Sequence, residues 1–133
     1  GSAIARISHR SLLPAKLQPV ERKIREALSG KPFDPPPRRE IETDRHAQQV
    51  LRFLIDSAEV IEVGPDAVLL RDNFEHMKAR ITEFISKHGP ATVSELRQAL
   101  ESSRRIMVPL LERLDRDRVT RRVEDKRILG RII

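Results

Sequence analysis

Twice along this chain the spacing of apolar residues changes from the period of a helix to the period of a strand. The first change follows two helical runs. Leu17, Val20, Ile24, Ala27 and Leu28 share one face and stop at Gly30 and Pro32; Ala47, Val50, Leu51, Leu54 and Ile55 share the next. Val60-Ile61-Glu62-Val63 then reads as a strand, Gly64-Pro65-Asp66 turns, and Ala67-Val68-Leu69-Leu70 returns. The second change is cleaner. A long helix carries Phe74, Met77, Ile81, Phe84 and Ile85 and ends near His88-Gly89-Pro90. A two-turn helix over 93–100, a turn at 101–103 and a helix from Ser103 to Asp115 follow. Val119 to Val123 and Arg127 to Leu129 then flank Glu124-Asp125-Lys126 as a hairpin. Helices followed by a hairpin, twice over, predict a mainly α chain with small β-hairpins: tandem winged-helix modules over 12–70 and 71–133.

Local chemistry sets the boundaries. Thr43 or Asp44 is suited to cap the helix that begins near 45, Asp72 or Asn73 the long helix, and Thr92 the helix at 93. Pro32, Pro35, Pro36 and Pro37 bar a regular helix over 31–39, leaving a loop or a short helical turn. Residues 1–16 have no clear period and read as extended or frayed, and Gly1-Ser2 reads as the remnant of a tag, so a longer parent protein is expected.

Catalytic signatures are missing. The sequence has no glycine-rich phosphate loop, no GxSxG turn and no HExxH pair, and His9, His46, His76 and His88 are scattered. Acidic residues are interleaved with basic ones, as in Asp115-Arg116-Asp117-Arg118, which is the pattern of a solvated helix face rather than of paired catalytic carboxylates. With no cysteine, disulfides and thiolate metal sites are excluded. No metal is expected. No apolar run approaches the roughly 20 residues that span a bilayer, so no membrane partner is expected.

Charge is concentrated. Residues 1–70 carry 11 basic and 10 acidic side chains, residues 71–133 carry 15 and 10, and seven basic residues face three acidic ones between Arg116 and Arg131. A concentrated excess is the footprint of a polyanion partner. Arg104 and Arg105 sit at the start of a helix, where the dipole disfavours cations and free N–H groups favour phosphate. They either solvate that turn or pair with Glu101, or they meet an external anion; the last reading is preferred. In the hairpin, alternation puts Arg121 on the side of Val119 and Val123, and Arg122 with Thr120 on the other. Lys126 and Arg127 lie at and after the turn. Basic residues also protect an edge strand from pairing, but beside Arg104 and Arg105 a salt-sensitive grip on a phosphate backbone is the preferred reading. None of the four Phe lies in the hairpin, so base stacking is not the expected mode.

The stretch Ser103-Arg104-Arg105-Ile106-Met107-Val108-Pro109-Leu110-Leu111-Glu112-Arg113-Leu114-Asp115-Arg116, with Val119-Thr120-Arg121-Arg122-Val123 and Asp125-Lys126-Arg127-Ile128-Leu129, resembles the C-terminal winged-helix domain of the bacterial selenocysteine-specific elongation factors, the SelB family. Thr92-Val93-Ser94-Glu95-Leu96-Arg97 also fits, and the resemblance is specific over residues 91–129. It implies binding of an mRNA hairpin, the selenocysteine insertion sequence (SECIS) beside a UGA codon. Ser103, Arg104, Arg105, Arg121, Arg122, Lys126 and Arg127 are the implied RNA contacts, with Arg97 as an addition. It further implies a cytoplasmic, monomeric piece of a translation GTPase that meets the ribosome. GTP and Mg²⁺ would be held only by a GTPase domain outside this chain, which would need no cofactor of its own. Two positions depart from the family pattern: Arg118 and Glu124 stand where the family usually has glycine. The fold alone also allows a DNA-binding winged-helix transcription regulator, or a protein-interaction module whose charged hairpin serves solubility.

Overall fold

Both predicted changes of period are built as the same helix-to-hairpin corner. The computed structural model describes residues 13–130; the expectations for residues 1–12, the start of the first module among them, lie outside the described residues. After a 3-10 turn (Ala15–Leu17), the first half runs α1 (Gln18–Gly30), α2 (Arg38–Ile41), α3 (Arg45–Asp56), β1 (Val60–Gly64) and β2 (Ala67–Leu70). The second runs α4 (Arg71–His88), β3 (Ala91–Thr92), α5 (Val93–Leu100), α6 (Arg104–Arg116), β4 (Thr120–Val123) and β5 (Lys126–Leu129). At the end of α3, Ala58 takes a left-handed φ of 63° and Glu59 N–H returns to the Leu54 carbonyl. At the end of α6, Arg118 takes the same φ of 63° and Val119 N–H returns to the Leu114 carbonyl. Each closes the last helical carbonyls by a Schellman-type cap and aims the chain into a strand.

The caps sort out as the side chains dictate. Asp44 accepts a hydrogen bond from Ala47 N–H and starts α3. Thr92 and Glu95 form a reciprocal capping box at α5. The long helix α4 departs from expectation: it begins at Arg71, directly on the end of β2, and neither Asp72 nor Asn73 caps it. The backbone passes from strand to helix without an intervening loop, and Arg71 N–H is already satisfied by the Glu59 carbonyl. The prolines keep 31–37 irregular, and the short α2 follows.

Antiparallel β1 and β2 form one sheet, and β3-β5-β4 forms the other. The first hairpin is apolar on both faces for a reason. Val60 and Val68 belong to a core with Ile24, Leu28, Val50, Leu51 and Leu54, whereas Val63, Ala67 and Leu69 belong to a core with Met77, Ile81, Leu110 and Leu111. The hairpin is therefore sandwiched between the two helical modules. Gly64 permits this closeness, since a Cβ there would sit 2.9 Å from Cβ of Pro109 on α6. The hairpin's tip is held by α2, with Arg38 pairing with Glu62 and Arg39 with Asp66.

The second hairpin meets the expected facing at Val119, which packs against the core, and departs from it along the rest of the ladder. Thr120 is 2% exposed and Arg127 4% exposed, while Arg121 is exposed and Val123, expected on the core side, is 45% exposed. The interior beneath this wing is polar: Thr120 Oγ1 donates to Asp115 at 2.6 Å, and Arg127 donates to the same carboxylate at 2.9 and 3.2 Å. A rule that places apolar side chains inward has no purchase where the inward groups are a threonine, an arginine and an aspartate.

Candidate nucleic-acid interface

The wing and the two helices of the second module enclose an open cleft of about 310 Å³. Its floor is the start of α5 (Thr92, Val93, Ser94), and Arg104 and Arg122 both line it. Arg104 is the first residue of α6, and it is exposed because the buried face of that helix is taken by Ile106, Met107, Leu110, Leu111 and Leu114. Arg122 is opposite Arg127 in the β4–β5 ladder and is solvent-exposed, its Nε donating to the Glu124 carbonyl at the turn. Glu112 and Asp125 also line the cleft, so it is a mixed rather than a purely cationic surface.

The other predicted residues separate into four groups. Arg121 and Lys126 are exposed on the wing. Ser103 and Arg105 face the first module: Ser103 Oγ donates to Asp34 at 2.7 Å, and Arg105 Nη2 lies 3.3 Å from the same oxygen and donates to the Pro35 carbonyl. Arg127 also borders the cleft but is drawn inward to Asp115, its side chain only 5% exposed, so its guanidinium is already bonded within the module. Arg97, half-buried on α5, is not among the residues that line the cleft, and its carbonyl accepts from Ser102 N–H. Composition and spacing missed Asp34 and Asp115, the two carboxylates that settle where the arginines point. A lone acid in a charged sequence carries no signal of its partner.

At the floor, the Glu95 carboxyl is held below its ordinary range, first by the Thr92 N–H that donates to it and then by the Thr92 hydroxyl. A negative charge is thus fixed within the capping box, and the α5 N-terminus is already capped. The cations of this site therefore come from α6 and the wing. Among the described residues no cluster of His, Asp or Glu is arranged to hold a metal ion, and no helix is long and apolar enough to cross a membrane.

Residues 83–129 match the family model described as the winged helix of elongation factor SelB. Over these residues the second module is similar to the SelB winged helix. A selenocysteine-specific elongation factor of Desulfomicrobium baculatum is 25% identical over 85 residues, which cover 64% of this chain and 13% of that protein. The chain thus matches a small part of that relative's length. Among solved structures, the mRNA-binding domain of elongation factor SelB from E. coli, in complex with SECIS RNA, superposes with a TM-score of 0.69 at 19% identity. It covers 90% of this chain and 100% of that one. A bacterial selenocysteine-specific elongation factor, EF-Sec, matches with a TM-score of 0.66 at 22% identity, covering 90% of this chain and 20% of that one. As fold alone, the likeness extends beyond residues 91–129 to 90% of the chain.

Proposed function

We propose that this chain binds an mRNA hairpin of the selenocysteine-insertion type and so anchors a selenocysteine-specific elongation factor beside a UGA codon. One observation carries the reading: the E. coli SelB domain that this chain matches along that domain's whole length was solved holding SECIS RNA. The geometry of the second module suits the role. Arg104 and Arg122 grip phosphates from the two sides of the cleft, and Arg121 and Lys126 add cations along the outer wing. Arg127 supports the wing from within, and Ser103 and Arg105 set the start of α6 against the first module. Arg97 adds to the field around the site.

Binding rather than catalysis is the chain's own task, and it needs no cofactor. Nucleotide and Mg²⁺ belong to the GTPase part of the full-length factor, which works in the cytoplasm and meets the ribosome. The chain acts as a monomer, with one hairpin per tandem pair.

The test is a competition. A selenocysteine-insertion stem-loop RNA and a duplex DNA of equal length are titrated with the chain over a range of salt concentrations. Preference for the stem-loop at every salt supports the reading. Preference for the duplex would instead identify a DNA-binding regulator, and no binding of either at low salt would leave a protein-interaction module.

A further inference from the structure

The start of α6 carries three consecutive polar groups before its first apolar residue, and the structure divides them between two surfaces. Ser103 is the N-cap residue, yet its side chain caps no N–H of its own helix. It donates instead to Asp34, which belongs to the proline-rich segment of the first module. Arg105 Nη2 meets the same carboxylate oxygen and the Pro35 carbonyl, and its Nη1 is buried without a hydrogen-bond partner. Ser102 Oγ donates to the Phe33 carbonyl at 2.6 Å. The Phe33 ring packs against the second core and stands edge-on to His76, with ring centroids 5.2 Å apart.

A hydroxyl, a guanidinium and the positive end of a helix together make a seat for an anion. Here the occupant is internal, the Asp34 carboxylate, held on a segment whose four prolines limit its freedom. With Ser103 and Arg105 so engaged, Arg104 is the cation of that turn which lines the cleft.

We infer that Asp34 is a positioning residue for RNA recognition: by holding Ser103 and Arg105 it fixes the first turn of α6 and the angle between the modules, and so aims Arg104 into the cleft. The inference rests on the proposed RNA-binding reading. Removing the carboxylate leaves Arg105, two-thirds buried, without its counter-charge, and frees Ser103 to turn back and cap α6. The turn then has more than one arrangement, and RNA must select the competent one, which weakens its apparent binding.

The chain has no cysteine, so Gln49→Cys on α3 and Ser86→Cys on α4, both at exposed positions, accept a pair of spin labels. Distance distributions and affinity for a selenocysteine-insertion hairpin RNA are measured on the full chain, wild type, Asp34→Ala and Asp34→Asn, with folding checked by circular dichroism. Asp34→Ala is expected to broaden the distances and weaken RNA binding about fivefold. Asp34→Asn, which keeps an acceptor for Ser103, is expected to fall between. Asp34→Ala added to Arg105→Ala is expected to cost little more than Arg105→Ala alone, whereas added to Arg104→Ala it should still broaden the distances but, with no Arg104 left to aim, cost little further affinity. An unchanged affinity for Asp34→Ala overturns the inference, as does tighter binding, which would make Asp34 a competitor of phosphate. Failure of the wild type to bind the hairpin sinks the RNA reading and the positioning role with it, and the distances then report a joint between modules alone.

Discussion

Among the described residues, four other than glycine hold a positive φ: Ala58, Glu101, Arg118 and Glu124. Two of them, Arg118 and Glu124, are the positions where the resemblance leads one to expect glycine, and their φ values of 63° and 59° explain that expectation. The wing keeps the left-handed turns and accepts side chains that disfavour them. Arg118→Gly and Glu124→Gly are each expected to raise stability by about 0.5–1 kcal/mol, less the entropy glycine costs the folded state, as measured by urea unfolding. Arg127 and Arg122 are opposite each other in one ladder yet have opposite fates. Arg127→Ala leaves Asp115 bonded to Thr120 but without its counter-charge and is expected to cost about 2–4 kcal/mol. Arg122→Ala removes an exposed side chain and is expected to shift stability by no more than about 0.5 kcal/mol. The same unfolding curves check both; equal losses would mean that the polar network under the wing contributes nothing.

Helix and strand periods were legible because most elements here are amphipathic in the ordinary sense. The wing's facing was not, because its inward side is Thr120 and Arg127, bonded to Asp115. The start of α4 was also hidden, since a helix that leaves a strand directly needs no side-chain cap. The α5 capping box was readable from Thr92 and Glu95, three residues apart. It has a pH signature. Glu95 has its folded pKa lowered from an ordinary 4.5, so its contribution is present above that value and is lost as pH falls toward and below it. Stability should therefore fall on acidification below about pH 4.5 less steeply in Glu95→Gln than in the wild type. Thr92→Ala, read by thermal unfolding, is expected to cost about 1 kcal/mol. Similarly, Gly64→Ala forces β1 away from Pro109 and is expected to destabilise by about 1–3 kcal/mol, an overpacking cost.

Across the whole molecule, the first hairpin is the shared wall of two cores. The apolar run on both sides of Glu62 is the trace of this in the sequence: a hairpin open to water on one face would alternate, and this one does not. A chain cut to residues 71–133 loses Val63, Ala67 and Leu69 from the second core. It is expected to melt several degrees lower than the intact chain, or to remain unfolded, with calorimetry as the check. Where the arginines of α6 point is likewise a property of the pair of modules rather than of the motif, because Asp34 lies 69 residues before Ser103. No local spacing rule reaches that far. Of the predicted contact residues, Arg104, Arg122, Arg121 and Lys126 face outward, and the proposed function requires them to hold phosphates. The direct measurement is the salt dependence of hairpin-RNA affinity for the wild type and for Arg121→Ala combined with Arg122→Ala. The account predicts weaker binding and a log–log salt slope shallower by about two, near one per lost phosphate contact. An affinity and a slope both unchanged would contradict it.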